Sequence, residues 1–267
     1  MVEYGVSNNL LPEFDLATLA NLAEGRGLTW LEVRLNRLDD LSKNSAGHVR
    51  EVLDQHALLC SVHAAYRGVN MCALTPAQFR RHLQEIEFAH LVGADRVVFH
   101  LDYAVGEPSR AMRRSVEALK RYVATCEDYG LLLLVENVRA KEGKLGRQPE
   151  ELKEVVEAVN HPHLQVALDV PNAYENRGTA WHHVKVLNPH VVHVHLNAGP
   201  AVRLGVSTEE FAREVADELA ALEHRDEVPV VFEGKFPFEE KMRFLRLVDR
   251  ALDPSVRRAR RPTFEGP

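Results

Sequence analysis

The sequence predicts one α/β domain over residues 1–267, folded as a single (β/α)8 TIM barrel, and three observations carry this prediction. Eight short apolar, β-branched segments recur along the chain, which is the number of strands such a barrel needs. Helical patterns lie between successive segments, so strand and helix alternate throughout. The length of 267 residues is close to the roughly 250 residues typical of this barrel, and unbroken alternation favours it over two domains.

The elements follow one another in order. The predicted strands are Tyr4–Ser7, Thr29–Leu35, Leu58–His63, Arg96–His100, Leu131–Glu136, Leu164–Asp169, Val191–His195 and Val228–Glu233. Helix starts are marked by Asp15, by Thr75 with Gln78 three residues later, and by a second capping box at Ser207–Glu210, because such side chains accept from free backbone N–H groups. Residues 238–252 carry a last helical stripe. An open doubly wound sheet is the alternative, but no GxGxxG follows the first strand.

Charge and cysteine content limit the classes of partner. The chain has 33 Lys and Arg against 39 Asp and Glu, a net charge of -6, which argues against nucleic acid as a partner.

Three cysteines without a CxxC pair fit a reducing compartment, so we expect a cytoplasmic protein. The longest apolar run is far too short to cross a bilayer, and no membrane association is expected. A basic C-terminal tail at about residues 255–267 is interpreted as a solvated end.

Six predicted strands end in a residue that can bind metal: His63, His100, Glu136, Asp169, His195 and Glu233. In a parallel barrel these ends lie on one rim, where active sites are built. Three carboxylates on one rim repel each other, and buried charges need a partner. We therefore predict a divalent metal ion, Mn, Zn, Co or Mg, as the cofactor. For any one carboxylate taken alone, a helix N-cap is the simpler interpretation.

Other polar residues near the strand ends receive structural interpretations. His193 lies two residues before His195 on the same strand face, so we interpret it as an inner barrel residue behind a ligand. Glu32 and Arg34 share a face of the second strand and are expected to pair with each other. His182 and its neighbour His183 are expected at the surface.

Four cationic residues follow strand ends, namely Arg67, Arg139, Arg177 and Lys235. Of these, Arg139 and Lys235 are the candidates for substrate binding. Arg139 comes after the fifth predicted strand and Lys235 after the eighth. Either could hold a phosphate or hydroxyl group, since cations in rim loops can reach a bound sugar phosphate. The alternative for both is solvated loop charge.

An ordered set of motifs spans the chain: His63-Ala-Ala-Tyr66 with Asn70, Ala89-His-Leu-Val-Gly-Ala94 leading to Val98-Phe-His100, Glu136-Asn137, Asp169, His195-Leu-Asn197 and Glu233. This set resembles the xylose isomerase-like TIM-barrel superfamily. That superfamily contains sugar isomerases and epimerases, inositol-catabolism enzymes and endonuclease IV-type AP endonucleases (AP endonuclease family 2).

The epimerase branch of this resemblance implies a function and a site. It implies that Glu136, Asp169, His195 and Glu233 hold one divalent metal ion. It also implies that Glu136 and Glu233 act as catalytic acid and base on opposite faces of the substrate carbon. The leading hypothesis is a metal-dependent sugar or sugar-phosphate isomerase or epimerase with a small-molecule substrate. A homo-oligomer stays open.

The endonuclease branch implies a second metal ion held by His63, His100 and Glu136. Its third ion needs a D-x-x-H motif, which reads Asp169-Val-Pro-Asn172 here. The trinuclear site is incomplete, so a two-metal phosphoesterase is the alternative hypothesis. In the epimerase branch a His at this position contacts substrate, so the resemblance implies that Asn172 contacts substrate by hydrogen bonding, although it cannot exchange a proton. A non-catalytic sugar-binding barrel is therefore the third hypothesis.

Overall fold

Eight parallel strands close into a barrel among the residues that the computed structural model describes, which are 2–8, 15–37, 41–65, 70–139, 141–234 and 237–253. In order around the barrel they are β1 (Tyr4–Ser7), β2 (Trp30–Arg34), β3 (Leu59–His63), β4 (Arg96–His100), β6 (Leu132–Glu136), β8 (Leu164–Asp169), β9 (Val191–Leu196) and β10 (Val230–Phe232). Every predicted strand is present, so the predicted TIM barrel is confirmed. Lys235 and the predicted basic tail lie outside the described residues.

Helices surround the barrel. Those in the described residues are α1 (Leu16–Glu24), α2 (Lys43–Gln55), α3 (Pro76–Leu91), α4 (Pro108–Asp128), α5 (Pro149–Val159), α6 (Val170–Arg177), α7 (Trp181–Leu187), α8 (Gly199–Leu204), α9 (Thr208–Ala220) and α10 (Phe238–Leu252). The predicted caps form: Asp15 accepts from the Thr18 N–H, and Thr75 and Ser207 begin capping boxes. No helix in the described part of the chain is long and apolar enough to cross a membrane.

A small antiparallel ladder lies outside the barrel and was not predicted. Its strands are β5 (Asp102–Tyr103) and β7 (Lys144–Leu145), joined further by the Ala104 N–H donating to the Gly143 carbonyl at 2.8 Å. Two residues are too few for a periodic signal. The ladder ties the loop after β4 to the loop after β6, and so it positions one wall of the rim.

The barrel interior holds both apolar and polar side chains. Val98, Leu134 and Ala167 form a buried cluster separate from the main core between strands and helices. Glu32 and His193 are also fully buried, and His193 is the register partner of Ala167 on the neighbouring strand. Because buried polar groups must find partners inside the protein, these two residues constrain side-chain directions just below the rim.

One prediction about the helices was wrong. His183 was expected at the surface, but it is fully buried in α7. It shares the inward face of that helix with Val184 and Leu187. Its neighbour His182 is half-buried and lies 2.6 Å from Glu150 through its Nε2 atom. In a short helix, the apolar residues that pack on the core determine which face is buried. His183 lies on that face and His182 does not.

Candidate active site

A cleft of about 430 Å³ opens at the carboxyl ends of the strands. Its described lining consists of Arg34, His100, Glu136, Val138, Arg139, Lys141, Lys144, Asp169, Pro171, Asn172, Asn197, Glu233 and Gly234. The three carboxylates at the ends of β6, β8 and β10 thus face one cleft, as the strand-end pattern predicted. His63 and His195 are buried beneath it.

Glu136 is the centre of the rim because three imidazoles meet its carboxylate. Nε2 of His63 lies 3.0 Å from Oε2, and Nε2 of His100 approaches the same oxygen. Nδ1 of His195 lies 2.8 Å from Oε1. Burial by itself raises the pKa of Glu136, but His100 and His195 hold that pKa well below its usual range. The carboxylate is therefore ionised.

His195 lies between two carboxylates, one above it and one below. Nδ1 faces Glu136, and Nε2 lies 2.9 Å from Oε2 of Glu32. Burial lowers the pKa of His195, but Glu233, Glu32 and Glu136 together raise it well above its usual value. His193 lies inside the barrel behind His195, as predicted, with 3.1 Å between their Nε2 atoms. Burial lowers the pKa of His193 to about 4, so that ring is neutral.

The expected pairing of Glu32 with Arg34 is wrong, because each side chain makes shorter contacts with other residues. Their atoms Nη1 and Oε1 are 3.9 Å apart. Nη1 of Arg34 donates instead to Oε1 of Glu233, and Nη2 lies 3.1 Å from Nε2 of His63. Glu32 turns to His195. In a closed barrel, inward side chains meet residues from across the interior, which same-strand spacing does not reveal.

Asp169 is held in place by hydrogen bonds that involve Asn137 and Asn172. Asn137 accepts from the Asp169 N–H at 2.7 Å and donates to the Asp169 carbonyl at 2.8 Å. Asn172 donates through Nδ2 to the Asn137 carbonyl at 2.9 Å, and its N–H donates to Asp169 Oδ1 at 2.6 Å. Asp169 is thus also the N-cap of α6. Burial, with repulsion from Glu136 and Glu233, raises the pKa of Asp169 well above its usual value.

Removing the Asn137 side chain is expected to destabilise the rim. Asn137→Ala deletes both side-chain bonds to Asp169 and leaves a buried N–H and a buried carbonyl without them, so we expect a loss of about 3 kcal/mol in the free energy of unfolding. Denaturant titration followed by circular dichroism measures this loss. Asn188→Ala is the matched control, since Asn188 makes the same two kinds of bond, to Ala221 O and from Glu223 N, in a more exposed loop. A loss no larger than that of the control would contradict the prediction.

The donor set fits a divalent cation. Ligand atoms of Asp169, His195 and Glu233 all lie within 4.8 Å of one another, and all three residues are largely buried. Burial and then repulsion from Glu136 and Glu233 raise the pKa of Asp169, so a charged Asp169 is unfavourable without a compensating cation. Carboxylate oxygens with one imidazole nitrogen are ligands suited to Mn, Mg, Co or Zn. A cation held here would offset the repulsion among the carboxylates.

The cationic side of the cleft is more exposed. Arg139 lines the cleft with 64% of its side chain exposed, and its Nε lies 3.7 Å from Glu175. The other predicted cation, Lys235, is outside the described residues. Lys141 and Lys144 also line the cleft, and sequence reasoning missed both because they follow no strand end directly. The ladder between β5 and β7 brings Lys144 there.

Comparisons with known proteins agree with this architecture. The profile of a family described as xylose isomerase-like TIM barrel matches residues 20–249. The uncharacterized protein MJ1311 of Methanocaldococcus jannaschii is 24% identical over 206 residues, covering 74% of this chain and 70% of that protein. A D-tagatose 3-epimerase-like protein superposes with a TM-score of 0.74 at 21% identity, covering 93% of this chain and 99% of that one. An L-ribulose 3-epimerase gives a TM-score of 0.75 at 18% identity and covers 97% of both chains.

Proposed function

The chain belongs to the xylose isomerase-like TIM-barrel family, and from that premise we propose that it is a divalent-metal-dependent isomerase or epimerase acting on a sugar or sugar phosphate. The proposal is carried by Glu136, Asp169 and Glu233, which line one cleft, and by the buried His195, whose ligand atoms lie close to those of Asp169 and Glu233. Two carboxylates on opposite sides of a substrate carbon are the arrangement that moves a proton from one face to the other.

The four rim residues would hold the ion, and its chemistry would be to polarise a substrate carbonyl beside the reacting carbon. Glu136 is ionised in its ring of imidazoles and is the proposed proton acceptor on one face. Burial raises the pKa of Glu233 to about 7, against the lowering by Arg34. A carboxyl group with a pKa near neutrality both takes and returns a proton efficiently. Because Oε1 of Glu233 accepts from Arg34, we assign the transferred proton to Oε2.

The substrate we propose is a ketose or its phosphate. A cleft of about 430 Å³ accommodates a small sugar, and the names of two similar structures, D-tagatose 3-epimerase-like protein and L-ribulose 3-epimerase, concern ketoses. The carboxylates and the amides of Asn172 and Asn197 line the cleft and would form hydrogen bonds with the hydroxyl groups of the sugar. Arg139 and Lys235 are the proposed partners of a phosphate.

The test combines metal binding with a substrate screen. Protein treated with chelator should gain thermal stability when Mn, Co, Zn or Mg is added, by about 2.7 kcal/mol at a concentration one hundred times the dissociation constant. The loaded protein should then interconvert epimers in a panel of ketoses and ketose phosphates, measured by chromatography. Asp169→Asn should lose the metal-dependent gain. Glu218→Gln should keep it, since that buried carboxylate caps α7 outside the barrel.

Two results would contradict the proposal. Wild-type protein that binds none of the four ions would remove its metal dependence. Loaded protein that is stabilised by a ketose but never converts it would favour a sugar-binding barrel instead.

A two-metal phosphoesterase is the second candidate, because one observation favours it. Nε2 atoms of His63 and His100 both approach Oε2 of Glu136, and the two ring centroids are 5.0 Å apart. Burial and Arg34 lower the pKa of His63 to about 4, so its ring is neutral and able to bind an ion. Incubation with abasic-site duplex and Zn is the test. Absence of nicking at stoichiometric enzyme would remove this candidate.

A further inference from the structure

We propose that Glu32 is the positioning residue of the rim: it holds the Nε2–H of His195, so that Nδ1 is the atom that His195 presents to the metal ion. The inference rests on the proposed function, since it concerns how one of the four proposed ligands is oriented. It assigns a role to a residue on β2 that lies below the cleft and outside the set of strand-end ligands.

The His195 ring faces a different carboxylate with each of its two nitrogens. Oε2 of Glu32 lies 2.9 Å from Nε2, and Oε1 of Glu136 lies 2.8 Å from Nδ1. The two ring nitrogens therefore point to opposite sides, one down into the barrel and one up toward the rim. Nδ1 is at hydrogen-bond distance from the proposed ligand Glu136, whereas Nε2 lies 3.7 Å from the proposed ligand Glu233 and closer to Glu32. An ion bound at the rim would take that nitrogen and leave the lower one its proton.

Glu32 is itself held by contacts from several strands. Its side chain is 0% exposed, and it is not among the described residues that line the cleft. Oγ of Ser61 donates to Oε2 at 3.4 Å, Nε2 of His193 lies 3.5 Å from that oxygen, and Nη1 of Arg34 is 3.9 Å from Oε1. These contacts come from three strands, β2, β3 and β9, so the carboxylate is fixed from several sides. It touches neither solvent nor the substrate space, which makes it a positioning group.

A buried carboxylate suits this position because it can accept the second N–H of a metal-bound imidazole. An ionised carboxylate buried in a barrel is unfavourable unless it is paired. A metal-bound imidazole usually donates its second N–H to a carboxylate or carbonyl, which fixes the tautomer and makes the ring a better ligand, and loss of that partner typically weakens metal binding by 10–100-fold. Glu32 and His195 have the geometry of such a pair.

The test begins with the wild-type protein. Zinc-loaded protein labelled with ¹⁵N at histidine is examined by long-range ¹H–¹⁵N correlation, with His195 assigned by comparison with His195→Gln. We expect a protonated Nε2 and a metal-bound Nδ1. The opposite pattern, with Nε2 bound and Nδ1 protonated, would overturn the inference even though the metal binds. This measurement needs no variant of Glu32 to fold.

The second measurement is metal affinity by calorimetry in Glu32→Gln, which keeps the shape of the side chain and removes its charge. We expect Zn and Mn to bind about 10–100-fold more weakly than to wild type. Glu218→Gln removes an equally buried carboxylate charge outside the barrel and should leave affinity unchanged. Affinity of Glu32→Gln within twofold of wild type would overturn the inference alone. Wild-type protein without any metal binding would instead overturn the proposed function and the inference with it.

Discussion

Replacing Glu136 with glutamine is expected to lower kcat/KM by about 10³-fold, within the range of losses seen when a positioned proton-transfer group is removed. The carboxylate is the common partner of His63, His100 and His195. An amide carries no charge, and its NH2 group would point a donor at one of these rings. The variant therefore loses a proposed metal ligand and a proposed proton acceptor in one step.

The measurement is steady-state turnover of the ketose found by the screen, at saturating metal. Calorimetry on the same variant should show weaker metal binding. Circular dichroism establishes that the variant is folded, and Glu218→Gln serves as the control for loss of a buried carboxylate. Activity of Glu136→Gln within tenfold of wild type would exclude Glu136 from both proposed roles.

The barrel and its rim were predictable because a parallel barrel requires a simple pattern of apolar and polar residues in the sequence. Its strands are covered on both faces, so each reads as a short apolar run, and strand order follows chain order. A polar residue that closes such a run falls on the common rim. Glu136, Asp169 and Glu233 face one cleft for this reason.

The layer below the rim was not predictable in the same way. Glu32 and Arg34 look like a local pair in the sequence, but in the barrel they contact β9, β3 and the residue after β10. Such contacts depend on barrel closure and stagger, which set the residues that meet across the interior. A signal did exist: a glutamate within an apolar strand is a buried charge, and buried charges require a partner.

Asn137 shows a second limit of sequence reasoning. It was visible only as a neighbour of Glu136, yet it bonds to both backbone groups of Asp169. Side-chain bonds to the backbone of another strand leave no spacing that can be read along the chain. The structure thus shows residues below or beside the rim that contact the residues of the rim. Asn137 holds Asp169, and Glu32 contacts His195 from beneath.

Replacing Glu233 with glutamine is expected to abolish interconversion of epimers, with a fall in turnover of about 10³-fold. Glu233 combines three properties of a proton-transfer group. It faces the cleft, burial raises its pKa to about 7, and Arg34 holds one oxygen so that the other is directed. Glutamine keeps the contact surface but can neither take nor return a proton near neutral pH. Turnover at saturating metal measures the loss, and full activity would remove Glu233 from the mechanism.

Isotope exchange separates this catalytic loss from a loss of metal. If Glu136 and Glu233 serve opposite faces of one carbon, Glu233→Gln in ²H₂O should still exchange the hydrogen of one epimer through Glu136, while that of the other epimer stays fixed. Glu136→Gln should show the reverse preference. Loss of metal would stop both exchanges together in either variant. Interconversion of epimers by the wild type without any solvent deuterium entering the product would contradict the two-carboxylate mechanism. Opposite preferences in the two variants require two separate proton-transfer groups, because a single group that served both faces would exchange both epimers, and its loss would stop both exchanges.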